Sequence, residues 1–155
     1  MAIEVGRQLE HSRVACAVID LDWLCWVQLD ASSPPRSLDS LIFRNLLSMW
    51  PNFRSVGVEY LVLARALLDP ALLAALTKEF PRTPMTVVRL DASPQTIEER
   101  LRRRDAGETL DEHRREVAAM TVAIEKVMLE QAIVLNDGLC VADVARQVLD
   151  ILAWK

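Results

Sequence analysis

The chain has 155 residues, 52% of them hydrophobic and 26% charged, with a formal net charge of −4. That is enough for one domain burying about two thirds of its unfolded surface, and an acidic balance argues against nucleic acid or an anionic membrane as a general partner. Three cysteines, Cys16, Cys25 and Cys140, with no C-x-x-C pair, suggest neither a disulfide framework nor a zinc site, and point to a reducing cytoplasm.

The first twelve residues, MAIEVGRQLEHS, read as a helix, with no strand before it and no capping residue to open it. They carry Glu4, Arg7 and Glu10 where a signal peptide would be apolar. The next run, VACAVID, is continuously apolar, as in a parallel strand buried on both faces. It ends in Asp20-Leu21-Asp22. In extended chain two carboxylates at i and i+2 point the same way, so Asp20 and Asp22 could share a metal-bound water or take a hydroxyl proton. On spacing alone the commoner reading is plainer: Asp20 closes the strand and Asp22 is a solvated turn residue. Trp23, Trp26 and Trp50 are expected in the core more readily than along a cleft.

DASSPPRS, Asp30 to Ser37, is the one linker-like stretch and reads as a loop. Leu38, Leu41, Ile42, Leu46, Met49 and Phe53 then step at helical spacing, with Pro51 expected to kink or restart the helix. EYLVLA is the second strand, with Arg65 just after it. Asp69-Pro70 caps and opens PALLAALTKEF. The next apolar run, MTVVRLD, leads to Ser93-Pro94, which opens PQTIEERLRRRD. Arg100 and Arg104 share a face of that helix at i, i+4. With Arg102, Arg103, Arg114 and Arg115 they form a basic stretch, which is ordinarily a solvated face paired with acids such as Glu98, Glu99 and Glu116. His11 and His113 have no evident partner and read as structural or exposed. Leu110, Val117, Met120, Ile124 and Met128 stripe a long helix, AIVLN is the fourth strand, and Val144, Val148, Ile151 and Leu152 mark the last helix. Strand and helix alternate throughout residues 1–155, so the expected fold is a single α/β domain, a three-layer sandwich around a mostly parallel sheet.

TVVRLDASPQTIEERLRRRD resembles the segment of P-loop small-molecule kinases that runs from the fourth strand into the lid, with Glu99, Arg100, Leu101 and Arg104 in an E-R-L-x-x-R pattern. VIDLDWL resembles the second strand of gluconate, shikimate and adenylylsulfate kinases, whose terminal Asp-x-Asp faces the substrate. AIVLNDGLCVADVARQVLDIL resembles their last strand, adenine-side loop and closing helix. NLLSMWPNFRSVGVEYLVLARAL is similar to actinobacterial kinase-like P-loop proteins. The resemblance covers nearly the whole chain and rests on the order of loose motifs. It implies ATP and Mg2+ as cofactors and a small-molecule phosphoryl acceptor. Asp20 and Asp22 would handle the substrate and the magnesium water shell, and Arg104 would reach the transferring phosphate. Arg100 would lie over the adenine, Asn136 and Asp137 would edge its pocket, and Arg65 would hold an anionic substrate. The residues that select the acceptor would lie in loops such as Gln28 to Arg36.

One part of the pattern is missing. G-x-x-x-x-G-K-[ST], whose backbone N–H groups cradle the phosphates, occurs nowhere, and none of the four glycines precedes a lysine. MAIEVGRQLEHS matches the helix that should follow this loop, so the domain is expected to lack its first, central strand and to leave a gap in the sheet. Three readings follow. In one, a small-molecule kinase has its phosphate loop supplied upstream. In the second, a degenerate, non-catalytic relative acts through protein contacts, such as a homodimer over the sheet gap. In the third, an unrelated α/β binding module displays the arginines as a solvated face.

Overall fold

A computed structural model describes residues 1–28 and 38–154. The linker-like Asp30 to Ser37, and all but Gln28 of the loop expected to select the acceptor, lie outside these residues. Along the chain come α1 (Ala2–His11), β1 (Cys16–Asp20), a 3-10 turn (Leu21–Cys25), α2 (Leu38–Ser55), β2 (Tyr60–Ala64) and α3 (Pro70–Glu79), followed by β3 (Val88–Asp91), α4 (Pro94–Arg104), α5 (Gly107–Val127), β4 (Ala132–Leu135) and α6 (Val141–Leu152). The protein is mixed α/β. Its strands pair two by two, β1 with β2 and β3 with β4, both in parallel. Among the described residues no helix is long and apolar enough to cross a membrane.

The chain divides into two compact units, Met1–Arg65 with Leu152–Lys155, and Ala66–Ile151. In the first unit α1 packs on β1 and β2. Val5 and Leu9, one turn apart, bury that face of the helix. The helix starts at Met1 without a side-chain cap, as the sequence suggests. Gly6 sets how close α1 lies: a Cβ there would meet Val18 Cγ2 at 2.4 Å. Along the next strand Ala17 and Ile19, then Leu21, alternate into the core, and Ile42 and Leu46 of α2 are buried. Pro51 neither ends nor restarts α2, which runs on to Ser55. Asn52 Nδ2 and Ser55 Oγ bond to carbonyls in this last stretch.

In the second unit Asp69 caps α3 by accepting from Ala71 N at 2.8 Å, and Leu72, Leu76 and Phe80 are buried. Ser93 caps α4, with Pro94 in its first turn. Val144, Ala145 and Val148 bury one face of α6. The long helix α5 buries no residue fully. Its expected stripe stops short of Met128, which adopts the left-handed conformation after the helix (φ 43°) and is exposed. The expectation that the strands are covered on both faces also fails. Every residue of β2 is only half-buried, and Ile133 and Leu135 of β4 are 48% and 60% exposed. A two-stranded sheet has too few neighbours to cover both faces.

Candidate functional site

The carboxyl end of β1 carries the first cluster. Asp20 is the last strand residue and also the N-cap of the 3-10 turn, its Oδ1 accepting from Asp22 N at 3.0 Å. Asp22 therefore sits in helical, not extended, chain, so the i, i+2 argument for two side chains pointing the same way does not apply. The β1–β2 register sets Asp20 opposite Ala64, and Arg65 leaves the sheet at the same end. Its guanidinium donates from Nη2 to Asp39 Oδ1 at 2.7 Å, and its Nε lies 3.7 Å from Asp22 Oδ1. Arg65 is thus held by two carboxylates, and its Nη1 is buried without a hydrogen-bond partner. Asp39, in the first turn of α2, gives no local sequence signal, because its partner lies 26 residues away.

Beyond Asp22 the turn is pinned by Asn45 of α2, which donates from Nδ2 to Leu24 O at 2.7 Å. A 3-10 helix eclipses side chains three residues apart. Trp23 and Trp26 accordingly stack, with centroids 4.9 Å apart and planes 22° off parallel. They are 68% and 70% exposed, so the core placement expected of them is wrong. Trp50 is half-buried, with the Arg54 guanidinium 5.6 Å from its ring centre.

The second cluster lies where β3 and β4 hand over to their loops. Ser93 donates from its backbone N to the Asp137 carboxylate at 3.0 and 3.1 Å, and from Oγ to Asp137 Oδ1 at 2.8 Å. Bonding from the Thr96 and Ser93 side chains, and from Ser93 N, holds the Asp137 carboxyl below the usual aspartate range. A carboxylate at a helix N-terminus is also favoured by the helix dipole. One and a half turns into α4, Arg100 donates from Nη1 to Asn136 Oδ1 at 2.5 Å and from Nη2 to Asn136 O at 3.0 Å. Arg100, Asn136 and Asp137, remote in sequence, are therefore brought together. Arg100 and Asn136 also line a cavity of 230 Å³ whose apolar side includes Leu90, Val117, Met120 and Ile124.

Arg104 is placed differently. At the end of α4 its Nε donates to both oxygens of Asp105, at 3.1 and 2.9 Å. Asp105 is nearly buried and also bonds His113 Nδ1 at 2.8 Å, so His113 has the partner that the sequence did not reveal. Burial opposes the charge on Asp105, but the bonds to His113 and Arg104 outweigh it and lower the carboxyl's pKa. Next along the hairpin, Glu98 accepts from Arg102 on its own helix and from Arg114 on α5. These two arginines, Arg114 first, pull the Glu98 carboxyl down to about 2. Much of the arginine run is thus an ion-paired face, as expected of such a run. His11 bonds Arg7 O at 2.6 Å at the end of α1.

Among the described residues no group of three or more His, Cys, Asp or Glu side chains is placed to hold a metal ion. Compared with known protein families, with curated proteins and with solved structures, the chain matches none.

Proposed function

We propose that this chain is the substrate and lid portion of a P-loop kinase-like phosphotransferase, moving phosphate from ATP to a small molecule when a phosphate-binding loop is supplied ahead of Met1. The observation that carries the reading is the meeting of Arg100 with Asn136, beside Asp137. The resemblance gives all three to the adenine side of a nucleotide, and Ser93 and Asp137 fasten the start of α4 to the same loop. Both strand pairs, β1–β2 and β3–β4, are parallel, in keeping with a mostly parallel sheet. Three free thiols, Cys16, Cys25 and Cys140, accord with a cytoplasmic setting.

The residues present suit the base-facing side of a nucleotide. They do not suit its triphosphate or magnesium, since no glycine-lysine loop and no carboxylate cluster exists for them among the described residues. No transfer step is therefore assigned to residues 1–155 by themselves. Their part is to bind and orient: Arg100 and Asn136 at the base, Asp20 and Asp22 at the acceptor.

A second reading is favoured by Ile133 and Leu135, whose exposure on a parallel strand suits a protein-contact surface on a non-catalytic relative. Titration of the 155-residue chain with adenosine separates the two. Saturable binding that Arg100→Ala abolishes supports the nucleotide reading. No binding at millimolar adenosine, with self-association as concentration rises, supports the contact reading.

A further inference from the structure

The stacked indoles at the end of β1 are unusual in being both exposed and held. Large aromatic side chains seek burial, yet Trp23 and Trp26 are 68% and 70% exposed. Three hydrogen bonds hold the backbone of the turn that carries them. Asp20 caps its start, Cys25 Sγ bonds Asp22 O at 3.4 Å, and Asn45 clamps Leu24 O. Val27, which follows, is 43% exposed and extends the apolar surface. The pair is a preorganised platform whose exposure is maintained by the turn.

The charges around the platform decide what it takes. Among the described residues, Asp20, Asp22 and Asp39 lie in and beside the turn, and the guanidinium paired with Asp22 and Asp39 is that of Arg65. Arg65 already serves Asp22 and Asp39, while Asp20 bonds among the described residues only to a backbone N–H. Asp20 caps the N-terminus of the turn that carries Trp23, three residues before it in the chain. The surplus is negative, and an indole face adds the negative side of its quadrupole. An anionic ligand is repelled here, and a neutral ring gains only stacking.

We propose that Trp23 and Trp26, with Asp20 and Asp22, form a binding site for a small molecule that carries a ring and a protonated amine. The ring lies on the indole platform and the ammonium faces the carboxylates. The site shares Asp20 and Asp22 with the acceptor side of the proposed phosphotransferase, and in that sense rests on the same residues. It needs no phosphate-binding loop, so amine binding is read apart from adenosine binding.

Tyramine and its neutral analogue tyrosol, which carries a hydroxyl in place of the amine, test it on the full chain. The readout is the four indole N–H signals, assigned by single Trp→Phe variants. Tyramine should shift the Trp23 and Trp26 signals and leave Trp154 unmoved, with tyrosol binding about tenfold more weakly. Asp20→Asn keeps a capping side chain while removing the charge, so it should erase the preference for tyramine without unfolding the turn. Equal affinity for the two probes, no shift at millimolar tyramine, or Trp23 and Trp26 signals that respond only to protein concentration would each overturn the proposal. The last outcome would make the platform a self-association patch.

Discussion

Arg100 grips Asn136 twice, at the side-chain oxygen and at the backbone carbonyl, across 36 residues of sequence. The fork geometry of a guanidinium makes this possible, because two N–H groups point the same way in one plane. The contact ties α4 to the loop after β4 and fixes where the arginine's flat face can lie.

Replacing Arg100 therefore separates geometry from charge. Arg100→Ala should cost about 0.5–1 kcal/mol of stability, the range for an exposed charge-assisted bond, and should remove adenosine binding. Arg100→Lys keeps the charge but cannot fork, so it should recover little of the affinity. Calorimetry on the two variants checks both statements, and a lysine variant that binds normally would refute the fork argument.

Gly6 and Val18 make a packing prediction that runs against helix propensity. Glycine to alanine inside a helix is ordinarily favourable by up to about 1 kcal/mol. Here the new Cβ meets a stiff β-branched side chain at 2.4 Å, and overpacking costs about 1–3 kcal/mol. Gly6→Ala should lower stability on urea unfolding, whereas Gly6→Ala combined with Val18→Ala should lose the clash. A double-mutant cycle with no coupling would show that α1 does not sit this close.

Glu98 sets an acid limit. Arg114 and Arg102 bond its carboxyl and pull it down to about 2 in the folded protein, from an ordinary value of 4.5. A depressed folded pKa contributes stability above the unfolded value and loses it as pH falls toward the folded one. The protein should therefore lose melting temperature as pH falls from about 4.5 toward about 2. Asp105 and Asp137, also held low, act in the same direction. Glu98→Gln should flatten this part of the melting curve against pH, and an unchanged slope would mean that the α4–α5 pairing is absent in solution.

Asn45 offers a test of the turn. The hydrogen bond its side-chain amide donates to Leu24 O is partly buried, and Asn45→Ala should cost about 1 kcal/mol. If that bond orders the turn, the Trp23–Trp26 stack should loosen with it. Near-ultraviolet circular dichroism reads the coupled indoles directly. A signal equal to that of the parent would show that the stack holds by its own contact.

Much of this architecture was legible before any coordinates. Asp69-Pro70 and Ser93-Pro94 marked two helix starts because capping is a local event, settled within three residues. The four strands were found from their apolar runs, though each was read one to three residues too long wherever the apolar run outlasts the ladder, as in VACAVID against Cys16–Asp20. The candidate acids were found but their geometry was misjudged. Asp20-Leu21-Asp22 reads as extended chain only until Asp20 folds back to cap the turn that contains Asp22. The indoles of Trp23 and Trp26 were misplaced for the same reason, since hydrophobicity says what a side chain prefers and not what a pinned turn permits.

Sequence by itself determined the periodic elements, their order, the caps and the absence of a glycine-lysine phosphate loop within residues 1–155, because each is a matter of residue type at short spacing. Tertiary structure alone decided that Asp39 and Asp22 share Arg65, that Asp105 joins Arg104 to His113, and that Arg100 meets Asn136. Apart from the adjacent Arg104 and Asp105, these pairings join residues that the fold, and not the local spacing, brings within bonding distance. Charge type in a sequence shows which partners are available; only the packing of helices and strands chooses among them.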